Sequence, residues 1–186
     1  MTRNLRAGVV LLAAGAVMVF VTTRDRGTHP TAGASRAAAV FAAAGSPVGW
    51  EQPARPAVGG ERRQLLDGVE VTFTGDAGRF TNADVAFTSP PVGPAGYDAV
   101  CHAAVAYLDR MSDLLTGAAL GARFGLGASG CVARMQGAGR DRIVGRQSLW
   151  TEVLTTATTA RYLAGASIEN EGLGGPHLSI GVGYTP

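Results

Sequence analysis

Val69-Glu70-Val71-Thr72-Phe73-Thr74 is the stretch on which the reading of this chain turns. Val69, Val71 and Phe73 alternate with Glu70, Thr72 and Thr74, the period-two pattern of a strand with one face in a core and the other in water. Gly75-Asp76-Ala77-Gly78 follows as a turn, and Arg79–Thr88 brings Phe80, Val85 and Phe87 as a second strand, so the pair predicts a hairpin. Ser89-Pro90-Pro91-Val92-Gly93-Pro94 then breaks regular structure.

Downstream of that break, residues 97–116 carry Cys101, Ala104, Val105, Leu108, Met111 and Leu115 at helical spacing, with Asp98 as a cap or first-turn acid. Residues 117–140 are Gly-rich and read as irregular. A second helix is expected over Ser148–Leu163, with Leu149, Val153, Ala157 and Ala160 on one face, although Thr155, Thr156, Thr158 and Thr159 weaken its intrinsic propensity. Gly172–Pro176 is a turn, after which Leu178, Ile180, Val182 and Tyr184 alternate with small residues as a last strand. No internal repeat is evident. The order strand, strand, helix, helix, strand gives an α+β class: a small antiparallel sheet, made of a hairpin plus the C-terminal strand, with two helices on one face.

Upstream of the hairpin the composition changes. Residues 24–64 contain Thr28-His29-Pro30-Thr31-Ala32-Gly33, Gly45-Ser46-Pro47-Val48-Gly49 and Pro53-Ala54-Arg55-Pro56, and read as an Ala/Pro/Gly-rich tether. Within it, Arg36–Ala44 is too short to stand as a helix alone. Residues 7–23 are uncharged and apolar, and as a helix would extend about 25 Å, close to a hydrocarbon core. With the basic leader Met1–Arg6 they predict a single-pass signal-anchor, the N-terminus cytoplasmic and the domain 65–186 extracytoplasmic; cleavage and secretion is the alternative.

Cysteine and charge fit that placement. Cys101 and Cys131 are the two cysteines of the 186 residues, and in an exported chain they are expected to pair. All 16 basic residues are arginine, against 14 acidic ones. Four of these arginines flank the apolar segment, so the part beyond residue 26 has 12 Arg and 13 acids, a net charge of −1 (12 − 13). Nucleic acid is therefore not an expected partner, because phosphate binding needs a basic surplus on the folded part.

Chemistry-bearing patterns are few. Gly125-Leu126-Gly127-Ala128-Ser129-Gly130 matches G-x-G-x-x-G but lacks a preceding strand pattern and βαβ units, so it implies no dinucleotide. His29, His102 and His177 are too scattered for a zinc site. Asp109 and Asp113 share a helix face, but the neighbouring Arg110 and Ser112 make it a solvated one. No nucleophile elbow is present. No catalytic residue, metal or cofactor is assigned. Arg134, Arg140, Arg142 and Arg146 form a basic run, the one local signal for an anionic lipid, wall polymer or acidic protein partner.

An export segment, an Ala/Pro/Gly-rich tether and a compact domain with two cysteines together resemble small envelope proteins of high-GC Gram-positive bacteria. The resemblance is one of make-up and implies a location. The expected function is a membrane-tethered extracytoplasmic accessory subunit or protein-interaction module of a bacterial cell envelope, with another envelope or membrane protein as partner. The alternative is an exported domain binding a small apolar or lipidic ligand between sheet and helices, and after it an exported hydrolase with scattered catalytic residues.

Overall fold

The computed structural model describes residues 29–52, 59–76, 78–115, 127–141, 145–155, 161–170 and 174–186. The apolar segment 7–23, with the membrane role assigned to it, lies outside them. No helix among the described residues is long and apolar enough to cross a membrane.

The expected hairpin forms. Strand β3 (Val69–Asp76) pairs antiparallel with β4 (Arg79–Thr88), Phe73 opposite Ala83 and Thr72 opposite Asp84. Val69, Val71, Phe73, Val85 and Phe87 are all buried, as the alternation requires. The C-terminal strand β7 (Pro176–Thr185) also forms, and pairs with β4 so that Val85 faces Val182.

The chain is α+β as expected, but its sheet is larger. Among the described residues seven strands form it, with order β2-β3-β4-β7-β6-β5 and a short β1 (His29–Pro30) running parallel to the start of β4. Strand β2 (Glu61–Leu66) joins β3 through Asp67-Gly68, both at positive φ (47° and 81°), the backbone of a two-residue hairpin turn. Strands β5 (Gly145–Thr155) and β6 (Arg161–Asn170) occupy most of the stretch expected to be the second helix. They pair antiparallel from Gly145 opposite Asn170 to Thr155 opposite Arg161. A register shift between Ser148 and Trp150 inserts Leu149 as an extra residue. That bulge disrupts the period-two pattern, and the leftover spacing imitates a helix, whereas the β-branched threonines favour a strand.

The sheet order has a two-fold regularity. Meander β2-β3-β4 and meander β5-β6-β7 meet at the antiparallel β4–β7 pair, and each meander follows a helical segment in the chain.

Three helices are described, all against one face of the sheet. Helix α1 (Ala32–Ala44) starts at Thr31, whose hydroxyl accepts the Ala34 N–H at 3.3 Å, and ends at Gly45. It falls within the stretch read as a tether, and that reading is corrected here: Ala34, Ala37, Ala38, Phe41 and Ala44 are no more than 1% exposed. Alanine at this spacing lets the helix lie close against the sheet, and Phe41 meets Tyr162 edge-on at 6.4 Å. Residues 61–64 of that stretch likewise belong to the fold, as the first part of β2.

Helix α2 (Tyr97–Leu115) is the expected helix and buries Cys101, Ala104, Leu108 and Met111. Helix α3 (Gly127–Asp141) lies where irregular structure was expected. Its glycines oppose helix formation, but Cys131, Met135 and Ala138 recur at i, i+4 and i+7 and are buried. A Cys101–Cys131 disulfide ties α3 to α2 across 30 residues. In the loop-entropy account a ring of that length contributes about 3.5 kcal/mol.

Candidate functional site

Strand alternation sends alternate residues of each strand away from the helices, onto a face that no described element covers. What differs between strands is how large those residues are. On β7 the helix side carries Leu178, Ile180 and Val182, while the other side carries Ser179, Gly181 and Gly183. On β6 the helix side carries Ala164, Ala166 and Ile168, and the open side carries Leu163, Gly165, Ser167 and Glu169. These two neighbouring strands therefore place their smallest side chains together, and the open face sinks into a trough of about 460 Å³.

Cross-strand register orders the trough floor into rows. Thr88, Ser179, Ser167 and Ser148 stand opposite one another on β4, β7, β6 and β5, a line of hydroxyls across four neighbouring strands. The Thr88 and Ser179 hydroxyls are 3.0 Å apart and hydrogen-bonded. One step along the strands, Ala86, Gly181 and Gly165 form a row with almost no side chain. Beyond it, Asp84, Gly183 and Leu163 form the next row, and Leu163 is 48% exposed. The Asp84 carboxylate lies directly over Gly183, where a β-carbon would strike its Oδ1.

On the opposite side of the hydroxyl row stand His177, Glu169 and Arg146 in register. Arg146 Nε donates to Ser167 Oγ at 3.0 Å and lies 3.2 Å from Glu169 Oε1. Ser167 is consequently buried although it belongs to the open face. His177 Nδ1 lies 3.1 Å from the Ser89 carbonyl oxygen. The trough thus offers hydroxyls that both donate and accept, carboxylates that accept, and one guanidinium neutralised by its own carboxylate neighbour.

The structure does not gather the arginine run into one patch. Arg134 is exposed on α3, in the helix layer, and Arg146 is on the open sheet face, so the sheet separates them. Arg140 falls within α3, but its side chain lies outside the described residues, as does Arg142 altogether. Among the described side chains of the run, only Arg146 lines the trough.

The remaining candidates stay apart. His102 is paired with Asp98 at 3.5 Å on the outer side of α2, both side chains largely exposed, and His177 is across the sheet from it. No group of three metal-ligating side chains occurs among the described residues. Asp109 is half-buried and Asp113 exposed, while Ser112, read as solvated, is fully buried. Arg110 reaches instead to the Ala44 carbonyl at 2.8 Å and ties α2 to the end of α1. Gly127–Gly130 of the glycine motif form the first turn of α3; Gly125 and Leu126 lie outside the described residues.

A second cavity, of about 490 Å³, opens at the end of the helix layer between Val92, Pro94, Tyr97, Gly139 and Pro176. Its buried polar anchor, Asn170, donates to the Ala138 carbonyl at 3.2 Å. Sequence reasoning had no means to see either cavity. The trough left one trace, the serine and glycines that alternate with Leu178, Ile180 and Val182.

No protein-family model, curated protein or solved structure matches the chain.

Proposed function

We propose that this protein is a membrane-tethered, extracytoplasmic interaction module of a bacterial cell envelope, and that it engages another envelope component through the open face of its sheet. The observation that carries the reading is the trough: a sheet covered by three helices on one side leaves four strands of small and polar residues facing outward on the other. An antiparallel sheet with one solvated face is common, but a concave one paved with glycine and serine is unusual as a merely solvated surface. The disulfide supports an oxidising compartment, and the uncharged segment 7–23 supports a membrane tether.

The test is capture from native membranes in mild detergent, comparing the tagged full chain with a Gly181→Val variant. A β-carbon at Gly181 meets the Val85 carbonyl oxygen at 3.4 Å and the Ala86 side chain at 3.7 Å, so the β-carbon is accommodated and the branched side chain extends from it into the trough. A stoichiometric envelope component held by the wild type and lost by the variant is the expected result. Equal recovery by both proteins refutes this use of the open face.

The second cavity favours a second reading, a small apolar or lipidic ligand held at the end of the helix layer. Extraction of the purified chain with organic solvent tests it, since a bound lipid would appear in stoichiometric amount by mass spectrometry. A Gly139→Leu change, directed at the Tyr97 hydroxyl, would abolish its retention.

A further inference from the structure

We infer that the trough takes a neutral glycan chain, laid across the strands along the hydroxyl row. The inference rests on the open-face reading above and names the class of envelope component that this face fits. Three properties of the face lead to it.

The first is shape. The trough is a half-open depression, and a linear polymer fits such a shape because only one side of it needs to be held. Adjacent strands are about 4.8 Å apart, so hydroxyls on four neighbouring strands extend along about 14 Å, the length of a short oligosaccharide rather than of one sugar.

The second is charge. Arg146 is neutralised by Glu169 at 3.2 Å, and Asp84 is the other charged residue lining the trough. This face carries no basic surplus and does not complement a polyanion.

The third is hydrogen-bonding type. The backbone groups of the floor are occupied in the sheet ladders and Ser167 is buried beneath Arg146, so the Thr88–Ser179 hydroxyl pair and the exposed Ser148 present the polar groups at the two ends of the row. A hydroxyl both donates and accepts, and so does each hydroxyl of a sugar, so the two rows match without regard to direction. The Ala86–Gly181–Gly165 row leaves space for the rings beside the hydroxyl line. Leu163, 48% exposed at the trough edge, meets the apolar C–H face of a ring, while Asp84 accepts from its hydroxyls.

The test titrates the full chain in mild detergent with chitotetraose, cellotetraose and mannotetraose, read by calorimetry and by saturation-transfer NMR. Polyglutamate and phosphatidylcholine vesicles serve as the contrasting probes. At least one tetrasaccharide is expected to saturate below about 10 mM, an affinity ordinary for an open site. The corresponding disaccharide should bind about tenfold more weakly, since it cannot span the whole row. The Thr88→Val, Ser179→Ala double variant, which removes two adjacent hydroxyls, should weaken binding by about tenfold or more with an unchanged melting temperature. Gly181→Val should abolish it.

Absence of saturation by all three tetrasaccharides overturns the glycan assignment, as does binding of polyglutamate or vesicles in their place. Tetrasaccharide binding that Gly181→Val leaves intact overturns the trough as the site. If no glycan binds while envelope capture remains sensitive to Gly181→Val, this inference falls and the interaction reading stands. If capture is insensitive as well, both fall.

Discussion

Replacing Phe41 by alanine is the sharpest test of how this fold is built, because the residue belongs to a stretch whose composition suggests a tether. Phe41 is fully buried in α1 and its ring meets Tyr162 edge-on, at 77° and 6.4 Å. Its helix neighbours toward the sheet are Ala34, Ala37, Ala38 and Ala44, none of which has atoms to move into a vacated space. The cavity would therefore persist, which places the cost in the upper part of the range for a buried aromatic, about 4 kcal/mol. For a domain of this size that corresponds to a fall of about 10 °C in melting temperature. The assay is thermal unfolding of the full chain in mild detergent, followed by near-ultraviolet circular dichroism and tryptophan fluorescence. Val48→Ala is the matched control, since Val48 is 96% exposed and its loss should change the melting temperature little. If Phe41→Ala and Val48→Ala behave alike, α1 is not part of the core and the packing account is refuted.

Three other outcomes follow from single contacts. Tyr107 is buried against Phe87, with ring centroids 5.2 Å apart, and its hydroxyl has no hydrogen-bond partner among the described residues. Tyr107→Phe should therefore raise stability by about 1 kcal/mol, measured as a higher melting temperature at neutral pH. Burial also raises the pKa of that hydroxyl well above the ordinary tyrosine value. A raised folded-state pKa gives a contribution that is complete below about pH 10 and is lost as pH rises further, so the variant should lose less stability than wild type above about pH 10. Reduction with dithiothreitol should release two alkylatable thiols and lower stability by about 3.5 kcal/mol; retention of the wild-type melting temperature would mean that the ring constrains nothing. Gly33→Ala would push a β-carbon into the Tyr184 hydroxyl and should cost about 1–3 kcal/mol, whereas Gly181→Ala, with room for its methyl, should be neutral or slightly stabilising.

The parts legible in the sequence were those where one local pattern had no competitor. Val69–Thr74 alternates without a break, and Leu178–Tyr184 does so with small residues between, and both are strands of the buried-face type. Strand β2 was missed although its signal was present: Asp67-Gly68 between Leu66 and Val69 is a hairpin turn flanked by apolar residues. Helix α1 was hidden by its own means of packing, because alanines that seat a helix closely against a sheet read in sequence as low-complexity tether. Helix α3 depends on the disulfide and three buried side chains to overcome its glycines, and tertiary support of that kind has no local signature. The β5–β6 ribbon was misread because one bulge at Leu149 shifts the pattern by a residue. For the candidate site, the sequence supplied Arg146 but grouped it with Arg134, which the sheet puts on its other side.

The trough was not legible because it is a property of register rather than of any segment. Thr88, Ser148, Ser167 and Ser179 are far apart in the chain, and each is unremarkable where it stands. They become a row only when β4, β7, β6 and β5 pair in the order and register that the helix-facing residues impose. The two faces of the sheet consequently do separate work. Leu178, Ile180 and Val182 fix the register through the core, and a slip of one residue would bury Ser179 and expose Ile180, so the core holds the hydroxyls in line. Substitutions at Ser179 and Gly181 then alter the open face while the core that aligns them is untouched. Changes on the helix face act in the opposite sense, because a loosened core loses the row along with the fold. A sheet built this way can change what its open face presents by exchanging small residues there, with the frame of the described strands retained.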